Sequence, residues 1–251
     1  MNLLAMERIK LLTTRSPWWC AALVFAIGVG LAALIATVAD TESNPISVGI
    51  SVFGLALGSY IIMVLGAIAV TSEYRFGTIR ATFAAVPNRA AVLVAKAVVV
   101  TLLAGLIGLV TAFASWGVAY LIDGTDAIAI DSGAEWRAVA GQGAIYAGYA
   151  FIAVGVGLLV RATAGAISLL LVWALLVETI IVPIIDGVAG TSISRWLPFA
   201  NAQYFINAGD EVTGEGEPFP FGGPWGSFAY FLAVGLIVLV AGMVVAQRRD
   251  A

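Results

Sequence analysis

Apolar residues run along the chain in six long blocks, separated by short stretches where the charged residues collect. About 20 mainly apolar residues are needed to carry a helix across a hydrocarbon core of about 30 Å. The blocks therefore predict membrane spans over about Trp18 to Val38, Ser47 to Val70, Ala91 to Ile122, Val139 to Val160, Thr163 to Ile185 and Ser227 to Ala246. Lys96 falls near one end of the third block, where its long stem lets the ammonium snorkel to the headgroups. A signal-peptide reading of the N-terminus fits poorly. The apolar stretch after Arg8, Lys10 and Arg15 runs to about 21 residues, against about 7–15 for a signal core, so the first helix is expected to stay. The expected fold is an all-α polytopic membrane protein, one transmembrane domain over residues 1–251.

The polar interruption with the clearest pattern is Thr71 to Ala90. At 100° per residue Phe76, Ile79, Phe83 and Val86 fall within about 80° of one another, which makes an apolar seam on a short helix. Ser72 offers an N-cap, Glu73 suits the positive end of the helix dipole and Pro87 provides a stop. The pattern predicts an amphipathic helix from about Glu73 to Val86, its seam on lipid or on neighbouring helices. Tyr74, Thr78 and Ala81 then occupy the far face, with Arg75 and Arg80 on the flanks. The plainer alternative is a positively charged turn that only fixes topology. The N-terminus carries a weaker version, with Glu7, Arg8, Lys10 and Arg15 inside an arc of about 160° and Met1, Ala5, Met6, Ile9 and Leu12 on the rest. That pattern reads either as an interfacial helix leading into Pro17 or as a frayed start to the first span.

Charge sets the orientation. With six spans, ten of the twelve basic residues fall at the end that carries both termini, and only Arg137 and Arg195 fall at the other. This bias places both termini in the cytoplasm. Composition agrees with a lipid environment: 61% of residues are hydrophobic and the mean hydropathy is +1.03, whereas soluble domains are roughly 45–50% apolar. Histidine is absent and Cys20 is the single cysteine. The usual general base is therefore missing, and an internal disulfide or a thiolate metal cluster is excluded. No Walker A motif occurs in the chain, so it does not bind ATP by that route.

The stretch "EYRFGTIRATFAAVPNR" followed by "VLVAK" resembles the cytoplasmic loop between the second and third spans of type-2 ATP-binding-cassette permeases, the membrane subunits of bacterial ABC exporters. The approach "ERIKLLTTRSPWW", the short turn at Arg161 and the long segment before the last span extend that likeness as a matter of layout. The resemblance implies that the loop is a coupling helix docked on a separate ATPase subunit. Glu73, Tyr74, Arg75, Gly77, Thr78 and Arg80 then face or support that contact, and Phe76, Ile79, Phe83 and Val86 pack the helix. It further implies two ATPase copies, a second permease copy or a related chain, and a cell-membrane location. ATP and magnesium belong to the partner, this chain binding no cofactor, and no nucleic acid is involved. The transported compound is left open among drugs, peptides and lipids.

Within the spans, Gly54-x-x-x-Gly58 and Gly141, Gly143, Gly148, Gly155 and Gly157 mark close helix approach, inside one subunit or between two. Glu178 is the one acid well inside a span and is expected either to snorkel outward or to line a substrate exit. Pro183 should bend the helix near it. Gln142, Tyr146 and Tyr149 are candidate path linings, with anchoring or packing as the alternative. The segment from Asp186 to Trp225 is too polar to span but rich in aromatics, and by the same resemblance "SRWLPFANAQYFINAG" forms short helices dipping into the outer leaflet. An ion-gradient transporter is the competing class, weakened by the isolation of Glu178. An intramembrane enzyme has no evident nucleophile and base.

Overall fold

The computed structural model describes residues 3–39, 46–86, 88–207 and 220–249, the side chains of Arg80, Ala85 and Arg249 excepted. Pro87, Asp40, Glu42 and the acidic stretch 208–219, with Asp210, Glu211, Glu215 and Glu217, lie outside the described residues. The described residues are mostly helical and contain no strand. Among them six helices are long and apolar enough to cross a membrane, and the chain is an all-α polytopic membrane protein. A leading helix α1 (Leu3–Thr13) turns through Thr14 and Arg15 into α2 (Ser16–Val38), which carries Pro17 in its first turn. Proline suits that position, because its missing N–H would have no intrahelical partner there.

The second block is not one helix. It splits into α3 (Val48–Ser51) and α4 (Leu55–Arg75), with Ser47 capping α3 and a turn at residues 52–54. A Cβ at Gly54 would sit 3.1 Å from the Ile27 carbonyl and 3.2 Å from Gly28 Cα, so the break lies where α2 presses on the chain. The helix α4 also runs five residues past the expected end at Val70, which carries Glu73, Tyr74 and Arg75 into its last turn. Next come α5 (Thr78–Ala85), α6 (Arg89–Asp123), α7 (Gly133–Val160) and α8 (Thr163–Leu171). A π-helical stretch, Val172–Ile181, follows α8, and then α9 (Val182–Ala189), α10 (Pro198–Asn207) and α11 (Pro224–Arg249). The fourth span starts at Gly133, earlier than the apolar run suggests. Ser132 accepts from the Glu135 N–H, and the Glu135 carboxylate accepts from the Ser132 N–H at 2.7 Å, a reciprocal capping box.

The hub is α7, which packs on α4, α6 and α11. Its glycines make this possible within one chain. A Cβ at Gly143 would lie 3.0 Å from the Gly105 carbonyl of α6, and one at Gly155 would lie 2.8 Å from the Leu239 backbone nitrogen of α11. The intrasubunit alternative therefore holds for these positions. Tyr146 is part of the same packing. Its ring lies against Gly108 of α6, where a Cβ would come within 2.6 Å of it, and its hydroxyl donates to the Leu55 carbonyl at 2.8 Å. Gly155→Ala should destabilise the bundle by about 1–3 kcal/mol, because its Cβ meets backbone atoms that cannot rotate away. An unchanged thermal midpoint of the purified protein in detergent would refute the close α7–α11 contact.

The fifth span is continuous from Thr163 to Ala189. Pro183, expected to bend it, sits in the first turn of α9, and the irregularity precedes it as the ten-residue π segment. Proline has no N–H to give the preceding turn, and the wider winding upstream of it is one of the recognised ways a helix absorbs a local break.

Candidate functional site: a buried ion cluster beside a short helix

One end of the bundle gathers α1, the last turn of α4, α5, the start of α6, the turn at Arg161 and the end of α11. Glycine makes the corner between α4 and α5. Gly77 adopts φ +70°, a left-handed conformation that other residues reach only with strain. It is the N-cap of α5, so the helix begins five residues later than Ser72 and Glu73 suggest. Its end is as expected: Val86 is extended, as the residue before a proline tends to be.

The late start redistributes the seam. Ile79 is buried and Phe83 packs on the core, but Phe76 lies in the turn and is 72% exposed. Val86 is half-buried. Thr82, absent from the predicted seam, takes the buried position instead. Arg75, Phe76, Gly77, Thr78, Ala81 and Ala84 together form an exposed tip and flank. The guanidinium of Arg75 lies 5.6 Å from the Phe76 ring, and that of Arg89 lies 5.5 Å from the Phe83 ring.

Behind this tip lies a charged cluster that the periodicity does not foresee. Lys96 is 5% exposed and its ammonium lies 2.5 Å from the Glu7 carboxylate and 2.8 Å from that of Glu73. It does not snorkel; α1 covers it. Glu7, assigned to the polar arc of α1, is the buried residue of that helix at 2% exposure. Lys10 bridges the same two carboxylates at 3.0 and 3.4 Å and donates to the Thr82 hydroxyl at 3.1 Å. Two ammonium groups thus meet two carboxylates, one from α1, one from α4, with α5 tied in through Thr82. Burial by itself lowers the affinity of Lys10 for its proton, but the hydrogen bond to Glu7 and the charge of Glu73 outweigh it, so the pKa is raised. Lys10 therefore stays charged through the neutral range. The second Glu73 oxygen is buried without a hydrogen-bond partner.

Tyr74 is engaged elsewhere in the same end. The Arg161 guanidinium lies 5.1 Å from its ring, while an Arg161 N–H donates to the Val245 carbonyl at 3.0 Å. Arg161 itself is left-handed at φ 60° and closes the tight turn between α7 and α8. Thr78 donates to the Glu73 carbonyl at 3.4 Å across the Gly77 corner. Of the residues assigned by resemblance to the docking contact, Glu73 and Tyr74 thus point into the protein, Arg75, Gly77 and Thr78 are exposed, and the Arg80 side chain lies outside the described residues.

The opposite end holds Glu178, which does not snorkel outward. It is 5% exposed, accepts from the Trp173 indole at 2.6 Å, and accepts from the backbone N–H groups of Phe199 and Ala200 at 3.0 and 3.1 Å. The helix α10 opens "LPFA", with Leu197 where a capping side chain should stand and Pro198 at the first position. Glu178 supplies the missing cap from another helix. The Asn201 amide secures the approach by donating to the carbonyls of Arg195 and Leu197 at 2.8 Å. In place of a pair of short helices, the aromatic segment makes a short 3-10 turn, Ser194–Trp196, and one helix. Phe199 stacks on Tyr149 at 4.9 Å and Phe205 on Phe228 at 4.6 Å, which holds α10 against α7 and α11. Tyr149 also accepts from the Gln203 amide at 3.3 Å. Gln142, Tyr146 and Tyr149 are all buried within the single chain, so their place is in its packing.

No family model matches the chain, and no characterised protein matches it at significant similarity.

Proposed function

We propose that the chain is the membrane-spanning subunit of an ATP-driven exporter in the cell membrane, with both termini cytoplasmic, docking a separate ATPase through the α4–α5 corner. The reading rests on the resemblance of residues 73–96 and on the charge bias between the two ends. The observation that carries it is the exposed tip at Arg75, Phe76, Gly77 and Thr78, which stands on a short helix braced from behind by the buried ion cluster. A large aromatic side chain held out at a glycine corner suits a groove on a partner, as a hydrophobic anchor beside a cation. The bracing makes the corner stiff enough to move with that partner, so closure of the ATPase would be felt by α4 and α6 together. ATP and magnesium would be held by the partner, present in two copies, and the translocation path would form between two copies of this chain or with a related one.

Affinity purification from native membranes in mild detergent is expected to recover a stoichiometric Walker-motif protein. Phe76→Asp should cut that recovery at least tenfold with the membrane level of the chain unchanged, since Phe76 contributes almost nothing to the fold. Repeated absence of an ATPase, or transport in liposomes that needs none, would overturn the reading in favour of an ion-gradient transporter.

A further inference from the structure

Beside the ion cluster lies a cavity of about 550 Å³, bordered by Phe76 and Thr78 of the docking tip. Its size falls within the range of about 300–1,000 Å³ typical of small-molecule sites. Its walls have two characters. Leu11, Ile68, Ala69, Val99 and Val100 give an apolar side drawn from α1, α4 and α6, while Arg15, Ser16 and Ser72 stand with the cluster on the polar side, and Phe76 reaches the rim. The apolar side comes from α1, α4 and α6, and the polar side from the elbow where α1 meets α2 together with Ser72 and Glu73 of α4 and Lys96 of α6. Trp18 and Trp19, 62% and 68% exposed, stand within a turn of that elbow. Exposed tryptophans at the start of a span mark the headgroup layer.

The charge balance selects an anion. The cavity is lined by Glu7 and Glu73 against Lys10, Arg15 and Lys96. Both carboxylates pair with the two lysines, Glu73 through one oxygen only. Arg15 forms no ion pair among the described residues, so one fixed positive charge is left in the lining of a pocket that also has an apolar side. An occupant must therefore carry an anionic, hydrogen-bond-accepting head and an apolar tail at one depth. Arginine matches a phosphate with a planar fork of donors, and an anionic surface attracts basic residues at this level.

We infer that this cavity binds one anionic phospholipid of the surrounding leaflet, its phosphate on Arg15 and the upper part of an acyl chain between α4 and α6. The lipid then fastens the α1–α2 elbow to the ion cluster. The inference does not depend on the chain having an ATPase partner, because the site is built from this chain alone.

Native mass spectrometry of the purified chain in an uncharged detergent tests it, with phosphatidylglycerol and phosphatidylcholine of identical acyl chains as probes. One phosphatidylglycerol per chain should survive collisional activation, with at least a tenfold preference over phosphatidylcholine. Arg15→Gln should abolish that preference and Arg15→Lys should keep most of it. Ala69→Phe, which fills the apolar side, should weaken retention at least tenfold with Arg15 intact. If Ala69→Phe proves monodisperse only at low yield, the Arg15 pair decides alone. Equal retention of the two lipids, or Arg15→Gln behaving as the unaltered protein, overturns the inference. So does displacement of the lipid by millimolar inorganic phosphate, which would mean a simple anion site with no part for the tail.

Discussion

Replacing Lys96 by methionine is expected to destabilise the protein by about 3–5 kcal/mol, the usual result of removing one partner from a buried ion pair. The loss comes less from the missing attraction than from what stays behind. Glu7 and Glu73 would remain in a site where Lys96 is their shortest contact, at 2.5 and 2.8 Å, with only Lys10 to share. Lys10→Met should cost far less, about 0–1 kcal/mol, because its side chain is 36% exposed and its ion pairs are longer. The double variant Lys96→Met with Glu7→Leu removes one charge of each sign and should recover more than half of the single loss, a coupling that marks direct partners. Thermal unfolding in detergent, followed by loss of the monodisperse species, reads all three. A Lys96→Met protein as stable as its parent would show that the cluster is not the brace described here.

The second large effect is expected at Glu178. Glu178→Ala removes the acceptor for three donors, two of them the first free N–H groups of α10, and should cost about 3 kcal/mol, the lower end of roughly 1–3 kcal/mol for each donor left unmet, because the Trp173 and Ala200 bonds are only partly buried. Glu178→Gln separates the capping role from a carrier role. A glutamine can turn its carbonyl oxygen to the Phe199 and Ala200 amides, but then presents its NH2 group to the Trp173 indole, which is also a donor. It should therefore keep α10 folded at a smaller loss. Hydrogen exchange at the α10 amides distinguishes the cases: fast in Glu178→Ala, near normal in Glu178→Gln. If both variants exchange as the parent does while transport is lost, Glu178 acts on the transported compound and the capping account fails.

These two residues also show where periodicity is sufficient and where it is not. Six spans can be read from the apolar blocks because the requirement for about 20 apolar residues is set by the bilayer and is met locally. The short helix after the second span was equally readable, since Ile79 and Phe83 recur at helical spacing, and so was its end before Pro87. Its start lies later than Ser72 because Ser72, Glu73, Tyr74 and Arg75 include no helix breaker and complete the last turn of α4. A helix already running through them, as α4 does, needs no new cap, and Gly77 is what interrupts it. The Ser-x-x-Glu pattern of Ser132 and Glu135 before an apolar run is a sequence signal for a helix start, and the fourth span begins there.

Composition and pattern were enough to place the chain in a membrane, to count its crossings and to rank its two ends by charge, because each of these depends on residues near one another along the chain. The partners of single charged groups depend on which helices become neighbours. Glu7 and Lys96 are 89 residues apart, and nothing in either local sequence says that α1 folds back over the third span. A lone lysine in an apolar run and a lone acid in another read as snorkelling groups until packing closes over them. Folding gives Lys96 two carboxylates and gives Glu178 the unmet amides of α10, because a charge removed from water is tolerated only where tertiary contacts supply its partners.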